Sequence, residues 1–300
     1  MAIEIVRSLP TARRPPQGTQ ASFRVERVKS SGVDISAVVE PGRGHPILFL
    51  HGNSSTKAVW ANQVSAVKRH GHAVLAPDLP GHGDSENSHT PQATYSLPGY
   101  AAVVRGLIDR LQWPSVDVVG WSLGGHIGLE LLATDRRIRS LLIVGTPPGR
   151  PSAEAIQEAF HPSDGMLLAG KPEFTDADAM AYGSAMMGGA AYLDPYLLAC
   201  VKRTDGNARR YLFASAVEGI GTDQRESVET INKPLCVVHG EGEPFVRLDY
   251  LQSIRYRALW HNRIHVISGA GHAPHWQTPA EFNHILLNFL DFVDGQQSAA

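Results

Sequence analysis

Val116–Thr134 reads V-D-V-V-G-W-S-L-G-G-H-I-G-L-E-L-L-A-T. Its first part, Val116–Trp121, is a β-branched, largely apolar run, as expected of a strand covered on both faces. Its second part, Leu123–Thr134, reads as a helix. Between them Gly120-Trp121-Ser122-Leu123-Gly124 fits G-x-S-x-G. In a strand–turn–helix setting that motif holds a serine above the sheet edge on a sharp turn. The flanking glycines avoid clashes where the serine backbone is strained. The helix N-terminus favours developing negative charge. Ser122 is therefore the candidate nucleophile. The competing reading is a plain serine N-cap before a closely packed helix.

Outward from this stretch, short apolar runs alternate with helical patterns. Ser22–Lys29 and Val33–Glu40 read as a hairpin around Ser30-Ser31-Gly32. Further strand runs are Pro46–His51, Ala73–Asp78, Leu141–Gly145, Leu235–His239 and Ile264–Ser268. Helical patterns cover Ala58–His70, Tyr100–Gln112, Leu248–Ala258 and Pro279–Phe292. The alternation predicts an α/β fold with a mostly parallel, doubly wound sheet. It breaks across residues 147–230, which show no strand run and read as short helices. These residues are expected to form a helical cap inserted between core strands, a common place for an active-site lid. The core is then residues 22–146 and 231–300, with residues 1–21 as a flexible N-terminal arm.

Composition narrows the chemistry. Of 300 residues, 43% are hydrophobic and 19% charged, so the chain can bury a core. Lys and Arg total 27 against 29 Asp and Glu, a net charge of −2. That lacks the basic excess of a nucleic-acid or acidic-membrane partner. No apolar run reaches the ~18 residues of a membrane span, and no secretory leader is visible, so a cytoplasmic protein is expected. Two cysteines, Cys200 and Cys236, cannot build a disulfide framework or a cysteine zinc site. His70-Gly71-His72 lacks further ligands at suitable spacing. No metal or cofactor is expected.

A serine needs a base, an orienting acid and an anion-stabilising pocket. His51-Gly52-Asn53 ends the strand PILFLH, and the Asn53 N–H is assigned as one oxyanion donor, with the Leu123 N–H as the other. His51 reads as a turn-stabilising residue; Asp78 and His82, in a Gly- and Pro-rich loop, read as loop locks. The chain order Ser, acid, His directs attention downstream. His272 follows the last strand run on the Gly-rich loop Gly269–Pro274 and is the candidate base. The acid should follow Leu235–His239, where Glu243 is favoured over Glu241 and Asp249. The loop after Leu141–Gly145, Gly145-Thr146-Pro147-Pro148, offers no carboxylate.

These stretches resemble the α/β-hydrolases over about residues 22 to 293. More narrowly the chain is similar to the serine-dependent N-acyl-homoserine lactonases of that fold. HGNSS (51–55), APDLPGHGDS (76–85) and GWSLGGHIG (120–128) carry the broad resemblance. GTPP (145–148), RTDGNARR (203–210), EPFV (243–246) and AGHAP (270–274) complete it, with RTDGNARR and EPFV carrying the narrower one. The resemblance implies an α/β-hydrolase fold and places the acid on the Glu of EPFV, Glu243. It also implies a cap tyrosine near substrate: Tyr182, with Tyr192 and Tyr196 as rivals. Gly52, Trp121, Met186 and His275 complete the expected substrate contacts. Met166, Met180, Met186 and Met187, with Phe160 and Phe174, suit either an acyl-chain tunnel or ordinary lid packing.

The expected activity is hydrolysis of a small ester, foremost the lactone ring of N-acyl homoserine lactones, which would quench quorum signals. Ser122 attack through an acyl-enzyme and direct activation of water by His272 are both compatible with the pattern. A general carboxylesterase, a C–C bond hydrolase or a perhydrolase would keep the same residues. Dehalogenase and epoxide hydrolase chemistry needs Asp at the elbow. A non-catalytic small-molecule receptor is the reading from another class.

Overall fold

The computed structural model describes residues 2–6 and 23–297. Nine strands among them form one sheet: β1 (Ala2–Val6), β2 (Val25–Ser30), β3 (Val33–Glu40), β4 (Gly44–Leu50), β5 (His72–Pro77), β6 (Val116–Trp121), β7 (Ile138–Val144), β8 (Leu235–Gly240) and β9 (Arg263–Ile267). Their spatial order is β1-β9-β8-β7-β6-β4-β5-β3-β2. The hairpin β2–β3 turns on Ser31 and Gly32, both at positive φ, as a two-residue turn that matches strand twist requires. β3 is antiparallel to β2 and β5, and every other pairing is parallel.

Helices lie where the periodicity placed them, with shifted ends. Ala61–Arg69 follows a 3₁₀ turn at Lys57–Trp60, and Leu97–Arg110 begins on a Ser96 cap that accepts from the Gly99 N–H at 3.2 Å. Leu123–Thr134 and Pro279–Gln297 flank the sheet. Leu248–Ser253 ends before the expected Ala258. The central strands are buried along their whole length, which explains their unbroken apolar runs.

The opening of the chain departs from the expected arm. Ala2–Val6 is an edge strand pairing with Arg263–Ile267 in parallel, so the sheet gains a strand there. The remainder of the expected arm, residue 1 and residues 7–21, lies outside the described residues.

Between β7 and β8 stand six α-helices: Ala153–Ala159, Asp164–Ala169, Asp176–Met187, Pro195–Arg203, Gly206–Val217 and Gln224–Thr230. Each begins on a Ser, Thr or Asp whose side chain accepts a backbone N–H of the first turn: Ser152, Ser163, Thr175, Asp194, Asp205 and Asp223. Such caps stabilise helices too short to persist alone, by roughly 1 kcal/mol each. The caps also explain how a strandless stretch rich in Ala, Gly and Pro holds a shape. The layer is tied to the core by Asp205 N to the Gly81 carbonyl at 2.9 Å and by the Tyr95 hydroxyl to Asp205 at 2.7 Å.

Candidate active site

The carboxyl ends of parallel strands are where ligands bind in open α/β sheets. Four loops meet there: Asn53 follows β4, Ser122 follows β6, Glu243 follows β8 and His272 follows β9.

Ser122 has φ 53° and ψ −116°, a conformation rare for a residue with a side chain. The neighbours explain how it is held. A Cβ on Gly124 would sit 2.0 Å from the Leu50 carbonyl oxygen, and one on Gly120 would sit 2.4 Å from that of Gly124. The turn therefore closes only with glycine at both places. The Ser122 N–H donates to the Val144 carbonyl at 2.9 Å, and Thr146 Oγ1 donates to the Ser122 carbonyl at 3.1 Å. The Ser122 side chain makes no capping hydrogen bond to the helix it precedes. The plain N-cap reading fails on that point.

His272 and Glu243 form a buried pair. Nδ1 of His272 lies 2.9 and 2.8 Å from the two Glu243 oxygens, with side-chain exposures of 2% and 1%. Oε1 of Glu243 also accepts from the Phe245 N–H at 2.9 Å. Burial alone would raise the Glu243 pKa. The His272 charge and hydrogen bond, with the Phe245 N–H, outweigh it and leave the carboxyl below its ordinary range. A carboxylate at Nδ1 fixes the proton there and leaves Nε2 with its lone pair. That Nε2 is buried and has no protein partner among the described residues. Glu241 instead receives Ser268 Oγ and the Gly269 N–H at the surface, and Asp249 pairs with Arg247. Neither reaches His272.

The loop after β4 is tied to the loop after β5. His51 uses one ring nitrogen on each: Nε2 accepts from the Leu79 N–H at 2.9 Å and Nδ1 bonds the Gly52 carbonyl at 2.8 Å. Asp78 accepts from Thr56 Oγ1 at 2.8 Å, the Lys57 N–H at 2.6 Å and Lys57 Nζ at 2.5 Å. Nδ1 of His82 bonds the Pro80 carbonyl. Asn53 reaches the cap, its Nδ2 donating to the Ala169 carbonyl at 3.1 Å. Leu123 is the first residue of its helix, so its N–H has no intrahelical acceptor.

Asn53, Ser122, Leu123 and His272 open onto one cavity of ≈180 Å³ that continues into the cap. Past the serine its wall is mostly apolar, with Ile156, Phe160, Met166, Met186 and Leu212 among its members. Tyr182 lines it too, fully buried, whereas Tyr192 does not line it and Tyr196 is half exposed. Burial raises the Tyr182 hydroxyl pKa against the opposing pull of Arg209 and the Asn53 side chain.

Several expected contacts lie elsewhere. His275 is fully buried behind the site, its ring 4.3 Å from Trp60 and 4.9 Å from Trp121, and does not line the cavity. Gly52 packs against the Trp121 ring, and Trp121 borders only a second pocket of ≈10 Å³. Adjacency in sequence placed all three near the site, but their faces turn into the core. Met187 borders the small pocket, Met180 is 46% exposed, and Phe174 packs on Tyr182 beneath the Arg209 guanidinium. Two features escaped the sequence reading. Arg209 is a buried cation whose guanidinium donates to the Lys171 and Pro172 carbonyls at 2.8 Å. His126, paired with Gln224, stands in the cavity wall. Its spacing of four residues from Ser122 was the available signal. Among the described residues no three metal-ligand side chains come together, and no helix is long and apolar enough to cross a membrane.

Comparison with known proteins bears on the fold and the class of reaction. N-acyl homoserine lactonase AidH, in a variant complexed with N-hexanoyl homoserine lactone, superposes with a TM-score of 0.86 at 37% identity, covering 90% of this chain and 98% of that one. A pimeloyl-[acyl-carrier protein] methyl ester esterase of Xanthomonas campestris pv. campestris is 29% identical over 78% of this chain and 90% of its own length. A 2-hydroxy-6-oxononadienedioate/2-hydroxy-6-oxononatrienedioate hydrolase of Cupriavidus pinatubonensis is 28% identical over 81% and 86%. Such relatives support a hydrolase acting on ester bonds. The model of the alpha/beta hydrolase family matches residues 47–285, and the chain belongs to that family.

Proposed function

We propose that this chain is a serine hydrolase that opens the lactone ring of N-acyl homoserine lactones. One observation carries the reading: Ser122 and His272 share a cavity whose remaining wall is a mostly apolar cap pocket. A site of that kind suits an uncharged ester with an acyl tail. The 37% identity to a lactonase supports the lactone as that ester.

In the proposed reaction His272 Nε2 takes the proton of Ser122 Oγ as the oxygen attacks the ring carbonyl. Glu243 holds the imidazole in the required tautomer and stabilises its charged form. The N–H groups of Asn53 and Leu123 receive the oxyanion, each contributing about 3 kcal/mol in the transition state. The ring oxygen leaves with the proton from His272. Water then cleaves the acyl-enzyme, with His272 again as base. Tyr182 and Met186 border the acyl moiety.

A general carboxylesterase is the second reading, favoured by the methyl ester esterase relative. Rates on homoserine lactones and on p-nitrophenyl esters separate the two. Ester turnover without any lactone turnover establishes the second. A fluorophosphonate should label the protein and spare Ser122→Ala; labelling of that variant would move the nucleophile elsewhere.

A further inference from the structure

His126 sits one helical turn beyond Ser122, its N–H donating to the Ser122 carbonyl at 3.1 Å. Residues four apart share a helix face, and both line the same cavity. The imidazole is pinned from the cap. Its Nδ1 lies 2.8 Å from Gln224 Oε1, while Gln224 Nε2 donates to the His126 carbonyl at 3.3 Å. The second contact fixes which way the amide faces, so the atom at Nδ1 is an acceptor. Nδ1 must then carry the proton, and Nε2 presents a lone pair. That atom has no hydrogen-bond partner among the described residues, yet it is not sealed off as the nitrogens of His275 are. It therefore opens onto the cavity. Burial, reinforced by the nearby His272, lowers the His126 pKa against the opposing Gln224 hydrogen bond. The same cavity is lined by Ala155, Ile156 and Phe160, the last with its ring centroid 6.4 Å from that of His126.

We infer that His126 reads the acyl arm of the substrate, its Nε2 accepting a hydrogen bond from an N–H or O–H of that arm, with Gln224 fixing it as an acceptor. The inference rests on the lactone reading for its substrate. Two groups supply the donor: the amide N–H of every acyl homoserine lactone, two bonds from the ring carbonyl, and the hydroxyl of 3-hydroxyacyl chains. A 3-oxo group offers a second acceptor to a lone pair and is disfavoured. Sites built to hydrogen-bond a substrate group discriminate strongly against analogues that lack it.

The test is kcat/KM for His126→Leu, His126→Gln and Gln224→Leu beside the wild type. Substrates are N-hexanoyl, N-(3-hydroxyhexanoyl) and N-(3-oxohexanoyl) homoserine lactones and an amide-free γ-alkyl lactone. His126→Leu should lose about tenfold on the donor-bearing lactones, mainly in KM, and change less than about twofold on the amide-free one. Loss on all amides alike assigns the donor to the N–H, and loss confined to the 3-hydroxy compound assigns it to the hydroxyl. His126→Gln, which keeps an acceptor, should recover part of the loss. Gln224→Leu frees the tautomer and should raise the 3-oxo rate relative to the 3-hydroxy rate. Equal loss on all four substrates, or unchanged ratios in all three variants, overturns the inference. Should the wild type open no lactone, the lactone reading falls. The His126 assignment is then decided by the p-nitrophenyl esters of N-hexanoylglycine and N-(3-hydroxyhexanoyl)glycine against that of hexanoate: both ratios unchanged in His126→Leu overturn it, and a tenfold fall in either upholds it.

Discussion

The indole Nε1 of Trp121 donates to the carbonyl of His272 at 2.8 Å. A residue adjacent to Ser122 is thereby bonded to the backbone of His272, across 151 positions of sequence. The two loops do not drift independently. Trp121→Phe keeps most of the ring packing and removes that donor, leaving a buried carbonyl unsatisfied. Stability should fall by about 1–2 kcal/mol, and kcat should fall while KM stays close to its starting value. Urea midpoints and steady-state kinetics read both. Wild-type kcat in the variant would show that the loops are aligned by something else.

Glu243 and Glu241 differ by two positions and by their surroundings. Glu243→Gln removes the buried charge at His272 Nδ1 and should lower kcat by roughly a thousandfold or more. Glu241→Gln acts at the surface and should leave kcat within about twofold. Active-site titration beside turnover separates loss of chemistry from loss of folded protein. The reverse ranking would reassign the orienting acid.

Gly145 has φ +60°, and a Cβ there would stand 2.7 Å from Cε1 and 2.9 Å from Nδ1 of His272. Gly145→Ala should therefore displace the imidazole, with kcat falling by about tenfold or more. The fold itself should lose only about 1 kcal/mol. A melting curve near that of the wild type, combined with full activity, would refute the predicted clash.

Asp78 is buried against Lys57, which also meets Asp84 at 3.0 Å. Burial would raise its pKa, but the Lys57 charge, His51 and the hydrogen bonds to it leave it below the ordinary 3.8. A lowered carboxylate contributes stability that is present above its unfolded value and lost as pH falls through the folded one. Asp78→Asn should cost about 3 kcal/mol near neutrality, since it strands a buried ammonium with only Asp84 as partner. The difference from wild type should hold steady from pH 8 to pH 5 and shrink below about pH 4. A difference that grows in acid would contradict the assignment.

Much of this architecture was legible because buried parallel strands are continuous apolar runs. The loops that follow such strands also hold Ser122, Glu243 and His272, so their convergence could be anticipated from order along the chain. Strand β1 was not legible. Ala-Ile-Glu-Ile-Val precedes a Pro- and Arg-rich stretch, and its partner β9 lies at the other end of the sequence. His275 shows a second limit of pattern: three residues from His272, its ring lies between two tryptophans instead of facing the cavity. Spacing gives proximity along the chain, and packing decides direction. The same applies to the cap, where Tyr182 and Tyr196 sit on short helices of little periodicity, yet one is buried at the cavity and the other half exposed.

The backbone of Ser122, at φ 53° and ψ −116°, has a thermodynamic consequence. A conformation that disfavours every side chain costs about 1–3 kcal/mol, held in place by the rest of the fold. Glycine would relieve it, at a smaller loss from added freedom in the unfolded chain. Ser122→Gly should thus be inactive and more resistant to urea, by about 1 kcal/mol. If Ser122 is the nucleophile of the proposed reaction, this turn trades stability for chemistry: the protein would be sturdier with glycine there.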